Sequence, residues 1–457
     1  GALGETAAST TDGATTGDDD VPAHPQSVLD RANLLSARAN EETDAGRLDE
    51  AAASASELIA LSEETGDPRF AVSGYHLRGR ANMLNGQYAA AAKDAIESAH
   101  VARAIGNDRR ELRAAGLAIS ALAGGGRYDE ARHWSRTVDA LLERVDDDGQ
   151  LRAETLGSQA ALLRNLGDPN AARGRYQQAL AIADSDSSID PYTVAATYSG
   201  LAATSMDVGD YQAAYDAYRR SSAGFRVLLG EEHPGTATAT MNLGIAAHNL
   251  GDRSDEAREL LLNARAIFER VLSPEADHAA FCDHTLGLLE QGENNLDKAL
   301  EYLHRAREGF ERAHGDEHLT LIRTNTGITN VLGQAGRYEE ALRSAERARR
   351  IAESLFDHHH PALGYAVQAV GRAKLSLQRE DAAATLKTAA DILETAQAPP
   401  IEVGRAKFEV AQALDWRPGA RRFAEAAAAL TDGAEGDPGL HGEIVAWLQA
   451  RPAARFR

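Results

Sequence analysis

The chain has 457 residues and a formal net charge of −21, with 43% hydrophobic, 26% charged and only 5% aromatic residues. At roughly 100–200 residues per domain, that length predicts two to four domains or one repeat array. No long apolar run could span a membrane. So acidic a surface argues against nucleic acid, the single Cys282 excludes an internal disulfide, and the scarcity of aromatics argues against a β-sandwich or a carbohydrate-binding barrel.

Residues 1–24 are small and polar, with no Lys or Arg before Arg31. Such a segment buries too little surface to offset its ordering entropy and reads as a disordered acidic tail or linker. It has neither the basic start nor the apolar stretch of a signal peptide. The chain opens at Gly1 rather than Met, which fits a fragment or a processed product. Lys occurs only at 93, 298, 374, 387 and 407, every other basic residue being Arg. With abundant Ala and Gly, this bias fits a high-GC bacterial genome.

From Ser27 onward one phrase recurs. It appears as Gly46-Arg-Leu-Asp-Glu-Ala51, Gly86-Gln-Tyr-Ala-Ala-Ala91, Gly126-Arg-Tyr-Asp-Glu-Ala131 and Gly167-Asp-Pro-Asn-Ala-Ala172. Gly209-Asp-Tyr-Gln-Ala-Ala214, Gly251-Asp-Arg-Ser-Asp-Glu-Ala257 and Asn294-Asn-Leu-Asp-Lys-Ala299 follow. Gly336-Arg-Tyr-Glu-Glu-Ala341 and Gln378-Arg-Glu-Asp-Ala-Ala383 complete the set. The closing alanines lie 40 to 43 residues apart, a period that means a solenoid. A degenerate tenth unit is expected over 399–431, around Trp416.

Each part of the phrase has a physical role. Gly or Asn ends a helix in the left-handed conformation. Acids in the next helix's first turn meet the positive end of its dipole. Tyr or Leu packs at the hinge, and Ala lets two helices approach. Ala257, Leu261, Ala264 and Phe268 match Ala299, Leu303, Ala306 and Phe310 one period later, both at helical spacing. Each unit is therefore a helical hairpin.

This pattern resembles the tetratricopeptide repeat, with small residues seven positions before the hinge (Gly79, Gly244, Gly287, Gly371) and an aromatic-x-x-Ala after it. That repeat is usually about 34 residues long. The longer period here adds about one turn to each helix. Leu229-Gly-Glu-Glu-His-Pro234 leading to Met241-Asn-Leu-Gly244, with His314-Gly-Asp-Glu-His318 and Asp357-His-His-His-Pro361 in equivalent places, resembles the kinesin-light-chain and nephrocystin type over about 190–398. The array and its ending, Gly442-Glu-Ile-Val-Ala-Trp-Leu-Gln-Ala450, are also similar to the C-terminal sensor arrays of bacterial, notably myxobacterial, Ser/Thr kinases. The fold expected is all-α: a right-handed α-solenoid of about ten helix-turn-helix repeats over 25–431. A capping helix with Ile444, Val445, Trp447 and Leu448, and a basic tail, would cover 432–457.

No phosphate loop, HExxH, GxSxG, HRD or DFG motif is present, so no catalytic residue and no cofactor is expected. His278 and Cys282 share a helical face, but His284 lies about 160° from Cys282, against a metal site. His358-His-His360 falls where His233 and His318 stand and reads as loop capping. Tyr75, Tyr88, Tyr128, Tyr211 and Tyr338 read as packing.

The resemblance implies that the first helix of each hairpin lines a concave groove. Counting back from the hinges gives His76, Arg80, Arg164, Ser199, Asn242, His284, Arg323, Asn330, Gln368 and Arg372 as inward-facing. Arg grips carboxylates in a fork and Asn pairs with peptide backbone. The expectation is a non-catalytic scaffold binding an extended, acidic peptide of a protein partner, in a cytoplasmic or otherwise soluble setting. The kinase resemblance implies an alternative, the sensor or docking region of a larger signalling protein.

Overall fold

The computed structural model describes residues 24–451 apart from 146–147, 274–275, 358, 416 and 433–437. All of the expected acidic tail except His24, together with His358, Trp416 and the last six residues, lies outside them. Of the described residues 83% are helical and none is in a strand.

The chain divides into two units, residues 1–253 and 254–457. Unit 1 holds α1 (Gln26–Asp44), α2 (Leu48–Thr65), α3 (Pro68–Leu84), α4 (Tyr88–Ala104), α5 (Asp108–Gly124), α6 (Tyr128–Leu142), α7 (Gly149–Asn165), α8 (Pro169–Ser185), α9 (Pro191–Asp207), α10 (Tyr211–Leu229) and α11 (Pro234–Leu250). Unit 2 holds α12 (Ser254–Val271), α13 (His278–Gly292), α14 (Leu296–His314), α15 (Leu319–Gln334), α16 (Tyr338–Leu355), α17 (Pro361–Ser376), α18 (Ala382–Thr395), α19 (Pro400–Leu414), α20 (Ala420–Thr431) and α21 (Pro438–Ala450). Within each unit every helix packs on the next, as expected of a solenoid.

The recurring phrase sets the hinges. Its first residue takes positive φ throughout, from Gly46 at 73° to Gly336 at 71°. Asn294 and Gln378 hold the same conformation at 62° and 57° despite their Cβ atoms, so the left-handed turn belongs to the hinge and not to glycine alone. Asp49 and Glu50, Asp129 and Glu130, Asp255 and Glu256, and Glu339 and Glu340 occupy first turns as expected. The loop histidines are caps. Nδ1 of His233 accepts from the Gly235 N–H at 3.0 Å, and His360 from Ala362 at 3.2 Å. His318 accepts from Thr320 at 3.4 Å. Each satisfies one orphan N–H at a helix start.

The closing alanines are buried from Ala51 to Ala341. The ninth phrase differs: Ala382 is buried, whereas Ala383 is only half-buried. There a turn through Arg379 delays the helix start to Ala382, which shifts the contact by one residue. Small residues before the hinge pass close to the second helix. A Cβ on Gly287 would stand 2.6 Å from Leu303 Cγ, and one on Gly371 2.6 Å from Leu386 Cγ. Ala299→Leu is therefore expected to overpack this contact and destabilise by roughly 1–3 kcal/mol. A thermal melt matching wild type would show that the contact tolerates a larger side chain.

At the end of unit 2, Leu440 and Ile444 of α21 are buried with Phe408, Ala424 and Ala427, and Trp447 meets Phe408 edge-on at 6.2 Å. This covers apolar surface that α19 and α20 would otherwise expose to water.

Candidate binding face of the odd-numbered helices

From α1 to α9 and from α13 to α19, each odd-numbered helix touches the odd-numbered helix one repeat on. In unit 1, α1 packs on α3, α3 on α5, α5 on α7 and α7 on α9; in unit 2, α13 packs on α15, α15 on α17 and α17 on α19. Even-numbered helices make no comparable contact among the described residues. The odd layer of each unit is thus the more tightly drawn one, and its outward stripe forms the candidate face.

Polar ties hold that layer together. Arg80 Nη1 donates to Asn40 Oδ1 at 3.2 Å, and Ser120 Oγ to Ser158 Oγ at 3.1 Å. Arg109 Nε reaches Asp148 at 2.7 Å, and Gln150 Nε2 donates to Thr193 at 2.8 Å. Arg164 pairs with Asp207 through both Nε and Nη2. Gln368 Nε2 and Arg372 Nε both reach Glu409, at 2.9 and 2.7 Å. The partners lie 37 to 43 residues apart, one repeat, so the ties join equivalent turns of successive helices.

The ten residues expected in the groove therefore divide. Arg80, Arg164, Gln368 and Arg372 face the seam between odd helices and bond across it. The hydrogen bond to Asp207 keeps Arg164 firmly charged, and burial beside that pair pushes the Tyr176 and Tyr218 hydroxyls up to about 12. His284 is buried, with Nδ1 3.3 Å from Thr324 Oγ1. Ser199, Asn242 and Asn330 are half-buried and Arg323 exposed. None of these four side chains has a hydrogen-bond or ion-pair partner among the described residues. His76 is half-buried, but its Nδ1 is shut from water and lacks a partner. Burial, then the charges of Arg113 and Arg80, hold His76 down to about 3; burial, then Arg323, holds His284 down to about 4. Both are neutral imidazoles at pH 7.

Other lining residues escaped the count from the hinges. On α11 the stripe that stays open is Thr238, Asn242, Ile245 and Asn249; on α9 it includes Ala196, Ser199, Ala203 and Met206. These are uncharged, and small or apolar side chains at such positions look like ordinary helix filler in a sequence. Arg113 was also missed. It stands thirteen residues before Gly126, as Arg323 stands thirteen before Gly336, and that register was the signal available.

The tempting cluster in α13 is structural. Cys282 is fully buried, its thiol pushed well up by burial. Asp283 is clamped by Arg265 at 2.9 Å and Arg305 at 2.6 Å. His278 lies over Phe268 with ring centroids 5.0 Å apart. No group of three or more His, Cys, Asp or Glu could hold a metal ion among the described residues. Of the hinge tyrosines, Tyr88 lies over the end of the next odd helix, where a Cβ on Gly124 would come within 2.7 Å of its Cδ1, yet Tyr88, Tyr128, Tyr211 and Tyr338 all remain partly exposed to water. Among the described residues no helix is long and apolar enough to cross a membrane.

Comparison with known proteins agrees with this geometry. The sequence profile of the tetratricopeptide repeat matches residues 193–270 and 279–354. No curated protein matches the chain. Among solved structures, apo RapI is similar at 16% identity and a TM-score of 0.60, over 83% of this chain and 99% of its own. A Rap protein complexed with competence and sporulation factor is similar at 11% identity and a TM-score of 0.55, over 93% of this chain and 100% of its own. A putative kinesin light chain with nearly identical tetratricopeptide-like repeats, from Podosopora anserina, aligns at 22% identity and a TM-score of 0.39, over 46% of this chain and 98% of its own. The likeness to the two Rap structures is one of fold. With the profile match and the helical-hairpin architecture, residues 193–270 and 279–354 of this chain are tetratricopeptide repeats.

Proposed function

We propose that this chain is a non-catalytic scaffold whose odd-numbered helices bind an extended peptide segment of a partner protein. The observation that carries this is the unspent hydrogen-bonding capacity of that face. Asn242, Asn330 and Ser199 are half-buried and have no hydrogen-bond partner among the described residues, whereas Arg164, Gln368 and Arg372 bond across the seam. Side-chain amides offer both a donor and an acceptor, which is what an extended backbone presents on each edge. The uncharged stripe of α11 suits backbone contact, because no charge must be desolvated there. The Rap structure complexed with competence and sporulation factor shares the fold and supports the reading by analogy alone. A larger signalling protein that carried this array would dock its partner on the same face.

The test compares the affinity of a recovered protein partner for wild type, for Asn242→Ala/Asn330→Ala, and for Arg219→Ala on the even-numbered α10. The double variant is expected to fold normally by circular dichroism and to bind at least tenfold more weakly. Arg219→Ala should bind as wild type does. A partner lost only with Arg219→Ala would place the interaction on the other face and end this proposal.

A further inference from the structure

The two units repeat one arrangement. His76 stands ten residues before the Gly86 hinge, and His284 ten before Asn294. In the repeat that follows each, Arg113 and Arg323 stand thirteen before their hinges. The helices concerned are in contact, α3 with α5 and α13 with α15. In unit 2, His284 Nδ1 stands 3.3 Å from Oγ1 of Thr324, the residue next to Arg323, and in both pairs burial first and then the guanidinium one repeat on keep the imidazole neutral. The same His–Arg juxtaposition thus occurs once in unit 1 and once in unit 2.

What sets these two arginines apart is the lack of an acid. Arg109, Arg164 and Arg372 on the same layer each hold a carboxylate at hydrogen-bond distance. Arg113 and Arg323 have no ion-pair partner among the described residues, in a chain with 69 acids against 48 basic residues. Glu154 takes Arg113's row one repeat on and accepts from Gln150 on its own helix. Tyr365 takes Arg323's row one repeat on, which adds no negative charge. Each His–Arg pair therefore leaves a guanidinium fork unfilled beside a neutral imidazole with one N–H to give, a donor set that matches a carboxylate.

We propose that His76 with Arg113, and His284 with Arg323, form two equivalent seats, each for one carboxylate of a bound peptide. This rests on the reading of the odd-numbered face as a peptide site and names the chemistry that face selects. The carboxylate is either an acidic side chain or a chain terminus. Arg109, Arg164 and Arg372 on the same layer already hold a carboxylate, so acid groups elsewhere along the ligand gain little from those three.

The experiment titrates the full chain with three alanine pentapeptides. One has a central glutamate and blocked ends, one a central glutamine and blocked ends, and one a free C-terminal carboxylate. The readout is the imidazole resonances of His76 and His284, assigned with His76→Gln and His284→Gln. At least one carboxylate peptide should shift both imidazoles, and the glutamine peptide neither. The peptide that acts identifies the source of the carboxylate. Arg113→Ala should weaken the His76 response at least tenfold and leave His284 unaffected; Arg323→Ala should do the reverse. Neither arginine has a partner to orphan, so both variants should fold, and the second unit provides an independent replicate. Silent imidazoles in wild type, or responses unchanged in both variants, would overturn the seats. If the partner still depended on Asn242 and Asn330 in that case, the peptide-binding reading would stand without them.

Discussion

Phe310→Ala should destabilise unit 2 by about 3–5 kcal/mol, the range for emptying a fully buried aromatic site. Phe310 is 1% exposed. It meets Phe281 of α13 edge-on at 4.9 Å and shares a cluster with Leu321 and Ile322 of α15 and Ala348 and Ile351 of α16. The cluster around this ring draws on successive helices, so closing the cavity would require several of them to move. In a repeat array the loss should be local at first. Hydrogen exchange should rise most in α13 to α16, with α1 to α9 protected as before. Wild-type exchange in α13 to α16 would mean that the site collapses without penalty.

Acid should unfold the protein well before carboxylate protonation alone would do so. His76 is held down to about 3 and His284 to about 4, in both by burial first and then by the neighbouring guanidinium. An unfolded imidazole titrates near 6.5. Below that pH the unfolded chain takes up protons that the folded one refuses. The stability each imidazole contributes is therefore complete above about pH 6.5 and drains away as pH falls toward 4 for His284 and 3 for His76. At about 1.4 kcal/mol per pH unit, His76 alone removes roughly 2–3 kcal/mol by pH 4.5. Asp283 works the other way: burial raises it, so it stabilises as pH falls, and unit 1 gives the cleaner measurement. Urea melts at pH 7 and pH 4.5 should show His76→Gln losing about 2–3 kcal/mol less than wild type. Parallel losses would mean that the folded imidazole accepts its proton freely.

Hinges, period and hairpins were all legible along the chain, because each rests on local chemistry. A left-handed residue, first-turn acids and an alanine contact recur within six residues, and a solenoid stacks whatever such hairpins supply. Even the non-glycine hinges at Asn294 and Gln378 were legible from their place in the period. The ninth contact was misplaced by one residue, since the turn through Arg379 leaves no mark in the phrase.

The charge of the candidate face was decided only by the tertiary structure. Arg164, Arg323 and Arg372 look alike in the sequence. Asp207 stands 43 residues from the first and Glu409 37 residues from the last, and nothing in the period says which acid reaches which arginine. That depends on the distance and tilt between successive odd helices, which the bulk of buried side chains sets. Packing neutralised two of the three and left Arg323 open. It also packed α5, which carries Arg113, against α3, which carries His76, so that an arginine absent from the list of expected contacts came onto the layer of one that was on it.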